Sequence, residues 1–299
     1  MNKFRALPPK ARLALLEKMD NAVVVDSTTG EVIENATVKP NFSGSAPQQA
    51  QFAKRADEMA KYNEEQDGFI FTFYKLAEHI GKELTKQDLA RLLFLPTHLT
   101  YSNILKFDNG VEITKKNMPE LLGLGAKAFR SFYNTLIELG VMEDKKDYIK
   151  LNEDYFYKGS LPQALAGQEI AYTRTYVKGI RELYKEYGTT RKAGQLGLLY
   201  IVIPYIHKET NILATNTDEK ERRFINALSL QEVAEILGYT ADKITTALTS
   251  VVLGNEYVFM VTQIGKEKNV VVNPKVLWRG KTAPSETVLA LFEMKSKKK

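Results

Sequence analysis

At 299 residues, with 44% hydrophobic and 26% charged residues, the chain is long enough for two globular domains with separate cores, and its composition excludes general disorder. It has no cysteine, which excludes a disulfide scaffold, thiolate catalysis and a cysteine zinc site and fits a reducing, cytoplasmic setting. Lys and Arg exceed Asp and Glu by 42 to 36, a net +6 that modestly favours a polyanionic partner.

Met1 to Met19 carries positive charges but only a broken apolar run, Leu13 to Leu16, too short for a signal-peptide core or a membrane span. No membrane partner is expected. Val23–Val25 and Glu31–Ile33 flank a glycine-containing turn and predict a small hairpin. From Asn35 to Pro47 the composition shifts to Asn, Ser, Gly, Pro and Thr, as in a linker. Helical spacing follows from Gln48 to Glu65, Phe69 to Ile80, Leu84 to Leu95 and Met118 to Val141. Short β signals come only at Val141-Met142 and Tyr148–Leu151. Several helices and then a hairpin is the order of a winged helix.

The order then repeats. Phe94-Leu95-Pro96 with Asn103-Ile104-Leu105 matches Val202-Ile203-Pro204 with Asn211-Ile212-Leu213. Leu121–Leu124 matches Ile236–Tyr239, and Asn152 with Tyr155–Gly159 matches Asn273 with Val276–Gly280. The offset grows from 108 to 115 to 121 residues, with both increments in polar stretches, Asn216 to Arg223 and Gln263 to Lys268. Insertions belong in loops, so the drift supports duplication. The expected class is mainly α with small β wings, as tandem winged helix-turn-helix domains. The expected divisions are an N-terminal hairpin and linker at 1–46, a first domain at 47–160, a second at 161–282 and a basic tail at 283–299.

In the second copy Ser229-Leu230-Gln231-Glu232 has the form of a capping box, and Gly238 suits a left-handed helix end. Thr240 caps the next helix, Ala241 to Leu253, with Ile244, Leu248 and Val251 inward and Asp242, Lys243, Thr245, Thr246 and Thr249 outward. In the first copy Thr114 to Leu122 is the support helix and Ala126 to Leu139 the presented one, with Phe129, Phe132, Leu136 and Ile137 as core. Lys127, Arg130, Ser131 and Asn134 then face a major groove. Arginine and lysine donate to guanine O6 and N7, and asparagine pairs with adenine. Lys115 and Lys116 at the support helix, Lys145 and Lys146 in the first wing, and Lys266 and Lys268 in the second are placed for phosphates, contacts that position without specifying. The Lys295–Lys299 tail adds salt-sensitive attraction or only solubility.

The run Ile113-Thr114-Lys115-Lys116, Leu121–Leu124, Ile137–Val141 and Ile149–Asn152 through Tyr155–Gly159 resembles the RepL-type replication proteins of Firmicute plasmids and their phage relatives. The resemblance covers about half the chain through the first copy, and Val25–Ile33 is also similar to sequences that precede such domains. It implies a winged-helix fold and non-catalytic DNA binding in replication initiation on a mobile element. The chain departs from the family pattern at two points. Pro119 lies inside the support helix, which moves its start toward Asn117, and the often basic centre of the presented helix is Ser131, with Thr246 in the second copy.

His79, His98 and His207 are scattered, without metal-ligand spacing, and no Gly-x-x-x-x-Gly-Lys-Ser/Thr loop cradles a phosphate. The expectation is therefore no enzyme, no metal and no cofactor. The leading function is sequence-specific binding of double-stranded DNA, in replication initiation or transcriptional regulation on a phage or plasmid. The alternative is a non-catalytic interaction factor that docks a polymerase, a replisome component or another copy of itself. Asp242 and threonines in place of cations favour the alternative.

Overall fold

The computed structural model describes residues 46–74, 77–159, 172–264 and 267–293. The expected Val23–Ile33 hairpin, Lys266 and the Lys295–Lys299 tail lie outside them. The chain divides into two compact units, Met1–Met59 and Ala60–Lys299. A helix, α1 (Ala46–Glu65), begins in the first and ends in the second. Within Ala60–Lys299 the two copies are halves of one body, the first from 69 to 159 and the second from 172 to 280.

The body is organised by strands at the head of each copy. Phe69–Phe73 (β1, Phe-Ile-Phe-Thr-Phe) and Tyr172–Tyr176 (β5, Tyr-Thr-Arg-Thr-Tyr) are rich in aromatic and β-branched residues, which suit a pleated, packed surface. They pair antiparallel, with Phe71 opposite Arg174. Phe156–Tyr157 (β4) and Leu277–Trp278 (β10) add to their outer edges, giving the order β10-β5-β1-β4. The register is symmetric about the centre: Thr72 faces Phe156 in one half, and Thr175 faces Leu277 in the other. On one face the Thr72 and Thr175 hydroxyls lie 2.7 Å apart in a buried hydrogen bond. On the other, the Arg174 guanidinium sits 5.2 Å from the Phe69 ring and 5.7 Å from Tyr172, and donates to Gly280 O at 2.5 Å.

After each of these strands come two helices: α2 (Ala77–Glu83) and α3 (Lys86–Phe94) in the first copy, α6 (Val177–Tyr187) and α7 (Ala193–Val202) in the second. Helices α3 and α7 cross closely. A side chain at Gly197 would collide with the Lys86 carbonyl oxygen, so only glycine fits the crossing. Leu89, Leu92 and Leu93 from α3 join Leu196, Leu198 and Leu199 from α7 in one continuous core.

Each copy continues with two helices and a hairpin. In the first these are α4 (Met118–Leu122), α5 (Ala126–Glu138), β2 (Met142–Asp144) and β3 (Ile149–Leu151). In the second they are α8 (Leu230–Leu237), α9 (Ile244–Thr249), a small ladder of β6 (Val252–Leu253) with β7 (Glu256–Tyr257), and the longer hairpin of β8 (Phe259–Ile264) with β9 (Glu267–Val272). A last helix, α10 (Glu286–Glu293), places Phe292 against Met260 and Val271 of that hairpin.

Matched residues of the two copies make matched bonds. Asn103 and Asn211 both take φ of +55° and are buried. Asn103 Nδ2 donates to Leu151 O and Phe156 O, and Asn211 Nδ2 donates to Val272 O and Leu277 O. The backbone repeats the pattern: Leu151 N donates to Asn103 O, and Val272 N to Asn211 O. Each asparagine thereby ties the end of a hairpin strand to an edge strand of the central sheet, satisfying two buried carbonyls at once.

The class expected from sequence, mainly α with small β wings, is corrected. Among the described residues 45% are helix and 20% strand, a mixed α/β composition with several small antiparallel sheets, and tandem winged helices are not shown there. The cause is local. β1 is apolar at four of five positions, a short run that periodicity alone cannot separate from a helix, so Phe69 to Ile80 looks helical when its first five residues are a strand. The strand at Tyr172–Tyr176 carries no turn or alternation signal, and β4 and β10, within the matched blocks Tyr155–Gly159 and Val276–Gly280, are the edge strands of the sheet.

One buried histidine links the copies. Arg181 of α6 donates through Nη1 to both oxygens of Asp108 at 2.9 Å, through Nη2 to Thr97 O at 2.9 Å, and lies 3.3 Å from His98 Nδ1. Because Arg181 only donates, His98 Nδ1 accepts and the ring proton sits on Nε2, which is buried without a partner among the described residues. Burial, and then the Arg181 charge, push the imidazole down to about 4.

Two outcomes follow for stability. Asn103→Ala should cost about 3 kcal/mol by chemical denaturation, from two unpaired carbonyls and a left-handed alanine, and Asn103→Gly about 1 kcal/mol less. Equal losses in the two variants would refute the backbone part of this account. For His98 the unfolded chain takes up the proton first. Stability should therefore be full above about pH 6.5 and fall toward pH 4 by at most about 1.4 kcal/mol per pH unit. Denaturation of His98→Gln at pH 7 and pH 5 should show that slope reduced, and an unchanged slope would assign it elsewhere.

Candidate nucleic-acid interface

Pro119 sets the start of the support helix in the first copy. The helix runs only from Met118 to Leu122 instead of from Thr114, and Asn117 precedes it. Asn117 does not cap the helix with its side chain. Its Oδ1 accepts from Thr114 N at 2.8 Å and its Nδ2 donates to Glu112 O at 3.1 Å, which braces the approaching loop. Gly123 closes α4 at φ +62°, and Leu124 N returns to Pro119 O at 2.9 Å.

On α5 the buried stripe is Phe129, Phe132, Tyr133 and Leu136. Tyr133 takes the place expected for Ile137, which is 38% exposed because it lies one position off that stripe. Lys127, Arg130, Ser131 and Asn134 have the same three-and-four spacing about half a turn away, and all four are exposed. The Lys127, Arg130 and Asn134 side chains make no hydrogen bond or ion pair among the described residues. Ser131 is engaged only through its carbonyl, which accepts from Thr135 Oγ1.

The hairpin is held to α5 by a contact that spacing did not reveal. Tyr133 OH donates to Asp144 Oδ2 at 2.5 Å, and Lys115 Nζ lies 4.6 Å from the centre of the Tyr133 ring. The Tyr133 hydrogen bond, and after it the Lys146 backbone N–H, hold the Asp144 carboxyl below its ordinary range. Lys145 is drawn into an ion pair with Glu143 at 2.7 Å, so its charge is offset locally. Lys146, at φ +69°, donates its backbone N–H to Asp144 Oδ1 and leaves its side chain exposed, as is that of Lys116.

The second copy is built alike and charged differently. Ser229 and Glu232 form the expected capping box, and Gly238 ends α8 at φ +64°. Lys86 of the first copy donates to Leu237 O at 2.7 Å and lies 4.2 Å from the Tyr239 ring centre, so a cation from α3 seals the C-terminus of α8. No sequence signal announced this. The presented helix is shorter than expected, Ile244–Thr249 instead of Ala241 to Leu253, because Thr240 to Lys243 form a turn and Val252 enters β6. Ile244, Leu248 and Val251 are buried as expected. Lys243, Thr245 and Thr246 are exposed, whereas the Thr249 hydroxyl donates to Thr245 O in its own helix. Asp242 is held down first by a Thr240 hydrogen bond and more weakly by Lys243. Lys268 is exposed on β9.

Among the described residues, no group of three or more His, Asp or Glu is arranged to hold a metal ion, and no helix is long and apolar enough to cross a membrane. Comparison with family models, curated proteins and solved structures gave no match.

Tyr133→Phe should remove the hairpin tie. The expected result is a loss of about 1 kcal/mol at neutral pH and an upward move of the Asp144 titration followed by NMR. Because the folded carboxyl is depressed, the loss should be present above the unfolded carboxylate range and vanish as pH falls through the lowered value of Asp144. An Asp144 titration identical in the variant would contradict the tie.

Proposed function

We propose that the chain binds double-stranded DNA sequence-specifically in the cytoplasm, in replication initiation or transcriptional regulation on a phage or plasmid, with α5 as the reading helix. The observation that carries this is the α5 stripe of Lys127, Arg130, Ser131 and Asn134, exposed and with three of its side chains uncommitted. Exposed cations that make no internal ion pair retain their full attraction for phosphate and for guanine. From Lys127 to Asn134 the helix rises about 10 Å, which spans roughly three base-pair steps. Lys115, Lys116 and Lys146 supply flanking phosphate contacts, while Lys145 contributes less because of Glu143.

One observation favours a second reading for the other copy. The α9 face offers Lys243 next to Asp242 and threonines, one of them already bonded within the helix. Such a face suits protein docking, to a polymerase, a replisome component or another copy of this chain, better than groove reading. Thr245, Thr246, Thr249 and Lys268 then belong to a docking surface.

The test uses the full chain and a duplex selected by it from a random-sequence pool. Arg130→Ala and Asn134→Ala should each weaken binding by about 5-fold to 150-fold and relax preference at one position. Lys116→Ala and Lys146→Ala should weaken all duplexes alike, each lowering the slope of log affinity against log salt by about 0.9. If the first pair bind the selected duplex as tightly as the parent chain, α5 is not the reader.

A further inference from the structure

The second copy has a loop that the first lacks. Ala214 and Ala227 bridge across residues 215–226, twelve residues, where Lys106 and Glu112 bridge across residues 107–111, five residues. The longer loop is internally braced: Asn216 Nδ2 donates to Phe224 O at 2.7 Å and Asn226 N donates to Asn216 Oδ1 at 2.7 Å. Its residues Arg222, Ile225 and Asn226 line, with Thr210, Ile212 and Asn269 of β9, an open cavity of about 590 Å³. That volume is in the range of small-molecule sites.

The chemistry of the walls is specific. Asn269, at the position held by Tyr148 in the first copy, is only 3% exposed, and its Oδ1 has no hydrogen-bond partner among the described residues. An unmet buried amide oxygen at this wall favours a ligand that brings a hydrogen-bond donor to it. Ile212 and Ile225 supply apolar surface on which a planar group can lie. At the rim Arg222 is exposed and its side chain makes no ion pair or hydrogen bond among the described residues, whereas neighbouring Arg223 pairs with Glu221 at 2.8 Å. Phe224 is 53% exposed, with the Arg223 guanidinium 4.7 Å from its ring centre.

We propose that this cavity binds a nucleobase with its attached phosphate, supplied by a free nucleotide or by an unpaired strand. The base lies between the isoleucines with a polar edge toward the Asn269 amide, Arg222 takes the phosphate, and Phe224 with Arg223 stacks a neighbouring base where the ligand is a strand. Arginine paired to phosphate and an exposed aromatic ring are the elements by which unpaired nucleic acid is held without a fixed sequence. The site is separate from α5 and stands whether or not α5 reads duplex DNA.

The test titrates the full chain with the nucleoside monophosphates and, separately, with single-stranded oligonucleotides, alongside Arg222→Ala, Phe224→Ala and Asn269→Ala. Binding of the monophosphates identifies a free nucleotide as sufficient, and binding of oligonucleotides alone identifies the strand; either supports the site. Arg222→Ala should weaken both ligands at least about 5-fold, and Phe224→Ala should weaken the oligonucleotide by a similar factor while sparing the monophosphate. Both residues are exposed, so these variants report on binding even if Asn269→Ala proves too unstable to use. The proposal is overturned if neither ligand binds, or if binding is unchanged in Arg222→Ala and Phe224→Ala. Neither result bears on the Arg130 and Asn134 variants, which are read on duplex DNA.

Discussion

Two buried asparagines in left-handed backbone, Asn103 and Asn211, tie each hairpin to an edge strand of the central sheet. A left-handed residue turns the chain sharply, and asparagine both tolerates that conformation and offers an amide to the carbonyls the turn would otherwise strand. Without this fastening the hairpins and the edge strands β4 and β10 would each keep an unpaired buried carbonyl. With it, the presented helices are carried on a frame in which β1–β5 pairing and the α3–α7 crossing lock the copies together. Lys86 and Arg181 add bonds that pass between the copies.

Helix α5 is held from behind by Phe129, Phe132 and Leu136 and from the side by the Tyr133–Asp144 hydrogen bond. Its outward face is left without internal partners. The second copy keeps the same frame, but its presented helix has fewer exposed cations and its loop at 215–226 is longer, so two like scaffolds carry unlike surfaces.

Much of the local structure was legible in the residues. The repeat offsets located the paired asparagines, the Ser229–Glu232 box and Gly238 marked the bounds of α8, and the spacing of α5 separated its buried stripe from Lys127, Arg130, Ser131 and Asn134. The central sheet was not legible. β1 is apolar at four of five positions and packs on both faces, so it carries no alternation, and β5 hides an arginine among aromatics that only its partner strand explains. Long-range ties such as Tyr133 to Asp144 and Lys86 to Leu237 leave no spacing signal, because they depend on how separate elements meet. Helix α9 is shorter than its apolar spacing implies because the turn at Thr240 to Lys243 takes its first residues and Val252 enters β6 at its end.

The most direct test of groove reading by α5 is methylation interference on the selected duplex. Methylating guanine N7 blocks the major-groove acceptor that arginine uses. The account predicts that methylation within one short stretch prevents complex formation by the parent chain and that this effect disappears in Arg130→Ala. Interference that persists unchanged in the variant, or a complex indifferent to N7 methylation throughout, would contradict it.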